Sequence, residues 1–219
     1  MTLYEYQPAV AGYYDGVTYC HKQLINACTP WNGYYTLDSG YYMNLHFSQF
    51  MDKGWSFIFD ACYGDAKVGG DGHALVDAKY SYITACSAEG DYSTIITNTT
   101  SEPITYNFEV SNLAKAGNEV YVWETRGPDE GQEYNANYFK KISTVTPENG
   151  KYSVTIKPYS MITVSTLNIS EPEFDVPQES DNKLLSLPYT DDFGYSDEFL
   201  SSRGNAPLYT TDELSLIHI

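Results

Sequence analysis

A chain of 219 residues with twelve basic and twenty-nine acidic side chains has room for one large or two modest domains. Its formal charge of -17 repels phosphate backbones and anionic membranes, so nucleic-acid binding is disfavoured and neutral partners fit best. Twenty-two tyrosines beside nine phenylalanines and three tryptophans offer apolar rings with polar tips, suited to strand faces and to stacking on sugars.

In chain order, residues 1–8 lack the basic start and apolar run of a secretory signal. No run of about 18 apolar residues provides a transmembrane segment. Residues 2–6 read as one extended strand, followed by a loop through Tyr13-Tyr14-Asp15-Gly16. Residues 38–50 read as a short helix, with Ser39 as N-cap and Tyr42, Leu45, His46 and Gln49 on one face. Strand, long loop and helix in that order match the last β/α unit of a larger α/β domain, so the chain is expected to begin inside a longer protein.

After Gly54 the texture changes to short strands separated by turns. Strands are expected over 55–60, 80–87, 92–99, 104–110, 120–124, 141–145, 152–156 and 160–166. Ala88-Glu89-Gly90-Asp91 is the turn between the second and third. Ile104, Tyr106 and Phe108 alternate with Thr105, Asn107 and Glu109, which puts one apolar and one polar face on that strand. Glu148-Asn149-Gly150 reads as a hairpin turn. The fold class is therefore mainly β, with an antiparallel β-sandwich over 54–168. Residues 169–186, acidic and with two prolines, read as a linker. Residues 187–219 open a further domain but are too few for a core of their own.

The residues that carry chemistry are sparse. Glycoside hydrolysis needs two carboxyl groups roughly 5–10 Å apart on rigid positions. The carboxylates available are Glu5, Asp15, Asp38, Glu124 and the adjacent Asp129 and Glu130, the last two in a solvated loop. His21, His46, His73 and His218 show no metal-ligand spacing, and Cys20, Cys28, Cys62 and Cys86 show no CxxC pair. Neither a metal nor a cofactor is expected, and the cysteines read as free. The cluster Gly69-Gly70-Asp71-Gly72 lacks the sequence a phosphate loop requires. Asn98-Thr99-Thr100 and Asn168-Ile169-Ser170 match the N-glycosylation pattern, which matters only in a eukaryotic secretory setting.

Two stretches carry a family resemblance. Pro30-Trp31-Asn32-Gly33-Tyr34-Tyr35 resembles the Pro-Trp-Ser-Gly-x-Tyr segment of galactosylceramidases, glycoside hydrolase family fifty-nine. His46-Phe47-Ser48-Gln49-Phe50 with Gly54-Trp55 resembles that family's His-x-x-x-Phe and Gly-Trp. Downstream, Leu187-Pro-Tyr-Thr-Asp-Asp-Phe and Ala206-Pro-Leu-Tyr-Thr-Thr-Asp resemble the opening of its C-terminal lectin-like domain, in the same order.

The resemblance implies that 1–53 is the C-terminal part of a (β/α)8 catalytic barrel, 54–168 the sandwich and 187–219 the start of a lectin-like jelly roll. Such enzymes are retaining exo-β-galactosidases whose acid/base and nucleophile are glutamates near barrel strand ends. Both would lie upstream of residues 2–6, so no catalytic residue is expected in this chain and it should be inactive alone. Substrate binding would fall to Gln7, Tyr19 and Trp31. Tyr19 keeps the family's tyrosine, whereas Gln7 replaces an aromatic ring. The turn at 99–103 also lacks the arginine that the family carries in a longer loop, which implies a partner other than ceramide-linked galactose. The family continues with glycine and aromatic residues where this chain ends Glu213-Leu-Ser-Leu-Ile-His-Ile, so the last residues are expected to be foreign to it.

The partner expected is a carbohydrate or glycolipid, and the setting extracellular and bacterial, from the acidity and modest cysteine use. Two other readings stand beside it. One is a carbohydrate-binding or structural sandwich without chemistry, and the other a barrel-sandwich glycosidase of the glucosylceramidase-like or endo-galactanase type.

Overall fold

The computed structural model describes residues 8–11, 23–27, 35–64, 67–68, 75–76 and 79–174. The expected strand at 2–6, the 187–219 domain opening and the foreign tail lie outside the described residues. The described residues fall into two units, one up to Tyr41 together with Glu173 and Phe174, the other Tyr42–Pro172.

In the first unit, β1 (Val10–Ala11) pairs in parallel with β2 (Ile25–Asn26), and β2 pairs antiparallel with β3 (Thr36–Leu37). The Ile25 and Ala27 amides donate to the Ala9 and Ala11 carbonyls at 2.9 Å. Gln23 is fully buried and its Nε2 donates to Asp38 Oδ2 at 2.8 Å.

Helix α1 (Ser39–Ser48) starts one residue earlier than expected for a Ser39 cap. Asp38 takes the N-cap position, its carbonyl accepting the Tyr41 amide at 2.9 Å. Tyr42, Leu45 and His46 are buried as the spacing predicts, but Gln49 is exposed and Phe50 is fully buried in its place. Phe50 follows His46 by four residues and so continues the buried face, while the Phe47 carbonyl closes the helix by accepting the Phe50 and Met51 amides at 3.4 and 3.0 Å.

The remaining elements are β4 (Ser56–Phe57), a 3-10 turn (Phe59–Ala61), β5 (Tyr63–Gly64), β6 (Lys67–Val68), β7 (Leu75–Val76), β8 (Tyr80–Cys86), β9 (Tyr92–Asn98), β10 (Ile104–Glu109), β11 (Val120–Arg126), β12 (Lys140–Val145), β13 (Lys151–Ile156) and β14 (Ser160–Ser165). The expected strand at 55–60 is interrupted. Ser56 and Phe57 pair with one end of β8, the 3-10 turn bulges out, and β5 resumes pairing with β8 at Tyr82 and Ser81.

One antiparallel sheet has the order β12-β11-β14-β9-β8-β4, with β5 also on β8, and a second consists of β10 and β13. The core between these layers contains Tyr92, Ile96, Val120, Val122, Ile162 and Val164 from the larger sheet, against Tyr152, Val154 and Ile156 of β13. The predicted alternation of β10 holds. Tyr106 and Phe108 pack on this core, and Phe108 stacks on Tyr152 with ring centroids 4.6 Å apart. On the outer face Thr105 meets Thr155, Asn107 meets Ser153 and Glu109 meets Lys151.

The other face of the larger sheet is covered as well. His46 meets Thr163 of β14 and Thr125 of β11, and Phe50 lies against Trp123 and Phe139 at 5.8 and 5.9 Å. This double cover explains why β9 and β14 are buried along almost their whole length. By contrast β12, on the sheet edge, is exposed and opens with two lysines.

Asn149 and Gly150 both have positive φ, 53° and 77°, as a tight primed turn needs. It is not the hairpin that the local sequence predicts. Only Glu148 and Lys151 bridge across it, because β12 belongs to the larger sheet and β13 to the smaller one. The turn carries the chain from one layer to the other.

Candidate functional site

Gln7, Tyr19 and Trp31, together with Glu5 and Asp15, lie outside the described residues. Asp38 receives the Gln23 amide as already noted. Glu130 is exposed, whereas Glu124 and Asp129 converge on one cation. Arg126, at the end of β11, donates from Nε to Glu124 Oε1 at 2.9 Å and from Nη1 and Nη2 to both oxygens of Asp129, at 2.8 and 2.6 Å. Lys157 Nζ adds a second cation 3.6 Å from Glu124, whose side chain is almost wholly buried.

The hydrogen bonds from Arg126 hold Asp129 below the usual carboxylate range, and the same bonds, with Asp129 the larger contributor, raise Arg126. A general acid needs the opposite shift. By the geometry of these bonds Glu124 and Asp129 are counter-ions of one guanidinium that fixes the start of the 127–139 loop.

At the same end of the larger sheet, Asn98 is buried and uses its whole amide. Its Nδ2 donates to the carbonyls of Glu102 and Lys157 at 2.8 and 3.0 Å, and its Oδ1 accepts from the Thr100 amide and hydroxyl at 3.0 and 2.7 Å. Asn98 thus builds the short turn at 99–103.

His46 is held between two hydroxyls, Thr163 Oγ1 at 2.7 Å from Nδ1 and Thr125 Oγ1 at 2.8 Å from Nε2, with Phe139 edge-on at 5.1 Å. Desolvation lowers its pKa to about 3, so it is neutral and structural. Among the described residues no group of three or more His, Cys, Asp or Glu is placed to hold a metal ion. Cys62 and Cys86 are free thiols, as expected; Cys20 and Cys28 lie outside the described residues. Tyr92 and Tyr152 join the two layers through their hydroxyls at 3.1 Å, and burial raises both phenols.

The feature that the sequence reading did not assemble is aromatic. Tyr63 stacks on Tyr80 and Tyr82 with centroids 5.4 and 5.9 Å apart, and Tyr82 meets Tyr106 edge-on at 5.9 Å. This row leads from the sheet edge into a cleft of about 620 Å³ between the layers, lined also by Tyr92, Thr94, Phe108 and Leu113. The alternation Tyr80-Ser81-Tyr82 was the available signal.

No protein-family model matches the chain. It is similar to galactocerebrosidases: 24% identical over 199 residues to that of Danio rerio, covering 84% of this chain and 28% of the relative. The Salmo salar protein is 26% identical over 168 residues, covering 72% and 24%. The human protein is 23% identical over 214 residues, covering 90% and 29%. The chain thus spans less than a third of the length of these relatives. Among solved structures, a GH30 endoxylanase from Clostridium papyrosolvens C71 aligns with a TM-score of 0.43 and 14% identity, over 59% of this chain and 28% of that one.

Proposed function

We propose that this relative of the galactocerebrosidases is a segment of a retaining exo-β-galactosidase acting on terminal β-galactosides of glycolipids or glycans. The observation that carries the reading is the similarity to galactocerebrosidases along 72 to 90% of the chain. In this reading 1–53 closes the catalytic barrel, 54–168 is the sandwich, 169–186 a linker and 187–219 the start of a lectin-like domain. The enzyme works outside the cell.

The acid/base and nucleophile belong to the part of the enzyme before this chain. What the described residues contribute is a sandwich in which Glu124 and Asp129 are paired with Arg126, and Glu124 also with Lys157. Gln7, Tyr19 and Trp31 line the sugar site, with Gln7 replacing a stacking ring by an amide and so shifting the preferred aglycone. Retaining hydrolysis requires both carboxyl groups to flank the bond, so the 219-residue chain alone does not turn over.

The full-length gene product is assayed on nitrophenyl β-galactoside and β-glucoside, beside the 219-residue chain. Preference for the galactoside by the long form and none by the short one supports the reading. Turnover by the short form, or a preference for glucoside, overturns it.

A further inference from the structure

The two N-glycosylation triplets differ in structure. Asn98 is 1% exposed and all of its amide is engaged, its nitrogen donating to the Glu102 and Lys157 carbonyls. The Thr100 hydroxyl, the third member of that triplet, is turned back onto Asn98 Oδ1. A glycan on this nitrogen would displace both donated bonds and drive an oligosaccharide into the base of the 99–103 turn.

Asn168 lies in the irregular segment that follows β14, and both it and Ser170 are exposed. The chain is anchored just before it by the Thr166 amide on the Tyr92 carbonyl at 3.1 Å and the Leu167 amide on Ser165 Oγ at 3.0 Å. Just after it, Glu171 accepts from Lys140 Nζ and from the Lys141 amide. The triplet therefore stands at the surface, tethered at both ends, beside the exposed edge strand β12.

We propose that Asn168 is an N-glycan acceptor of this protein and that folded molecules carry none on Asn98. The donor is a polyprenyl-diphosphate oligosaccharide. A bond forms between Asn168 Nδ2 and C1 of the first sugar, and the bond from C1 to the diphosphate oxygen breaks. The lipid diphosphate leaves with the electron pair, and the amide nitrogen gives up one proton. On the edge of the larger sheet the glycan would shield β12 from pairing with another chain. The inference rests on a eukaryotic secretory route, in place of the bacterial setting expected from composition, and not on the galactosidase reading, so either can fail without the other.

The test is secretion of the full 219-residue chain from insect or mammalian cells behind a cleavable signal, then removal of glycans with an amidase that leaves aspartate at each occupied asparagine. Peptide masses should place the mark at position 168 and none at 98. N168Q and S170A should each abolish the mobility step while leaving the thermal unfolding midpoint of the deglycosylated protein unchanged. If the chain is retained in the cell, the same map is made on the microsomal pool, where addition precedes folding. Vacancy at Asn168 in either pool, or a glycan on Asn98 of a cooperatively unfolding secreted protein, overturns the proposal.

Discussion

His46 Nδ1 lies 2.7 Å from the Thr163 hydroxyl, which joins helix α1 to the central strand β14 through a wholly buried ring. The folded-state pKa of about 3 lies below the ordinary histidine value of 6.5. The unfolded chain therefore binds the proton more readily, and the contribution to stability is complete above pH 6.5. It is lost progressively as pH falls from there towards about 3, where protonation of the folded form ends the decline. Urea midpoints measured at pH 7.5 and 4.5 should fall by an amount that His46→Gln sharply reduces. An unchanged pH dependence in the variant would sink this account.

Arg126→Met should destabilise the sandwich by about 3 kcal/mol, because it leaves the buried Glu124 with only Lys157 at 3.6 Å. Asp129→Asn should cost less than about 1 kcal/mol, since Asp129 is largely exposed and its pairing is screened. Denaturant titration of both variants gives the comparison. Limited proteolysis should show faster cleavage in 127–139 for the first variant alone.

Gly150→Ala should be severe, at least about 3 kcal/mol, because positive φ is combined with a Cβ placed 2.3 Å from the Val110 carbonyl oxygen. Gly131→Ala has a similar φ of +80° but open space around it, and should cost only about 1 kcal/mol. Thermal unfolding separates backbone strain from the clash.

Asn98→Ala should cost about 1–2 kcal/mol by removing the amide that braces the 99–103 turn, with the Thr100 amide losing its acceptor while the Glu102 and Lys157 carbonyls keep the Thr100 and Ser160 hydroxyls. Asn168→Ala, on the exposed segment, should fall within about 0.5 kcal/mol of the parent chain.

On the proposed galactosidase reading, Asp129→Asn in the longer protein should leave kcat/KM on a β-galactoside within about twofold, whereas loss of an acid/base group costs roughly 100-fold or more. A large drop would make Asp129 part of the reaction and contradict the counter-ion role.

Local pattern alone placed most of the sandwich. The alternation from Ile104 to Glu109, the turn between β8 and β9, and the runs that became β11 to β14 were legible because a strand's inward and outward residues repeat every two positions. The site was less legible. Gln7, Tyr19 and Trp31 rest on resemblance, and the carboxylates Glu124 and Asp129 looked like independent acids until Arg126 was seen between them.

What the sequence by itself determined was the strand list, the mainly β class and the similarity to galactosylceramidases. The tertiary structure decided which layer each strand joined, that Asn149-Gly150 carries the chain between layers, that Phe50 rather than Gln49 is buried, and which glycosylation triplet is accessible. The reason is physical. Backbone propensity and polarity act over a few residues and leave a mark in local sequence. Layer choice, burial and ion pairing depend on partners as far apart as His46 and Thr163, which no local pattern records.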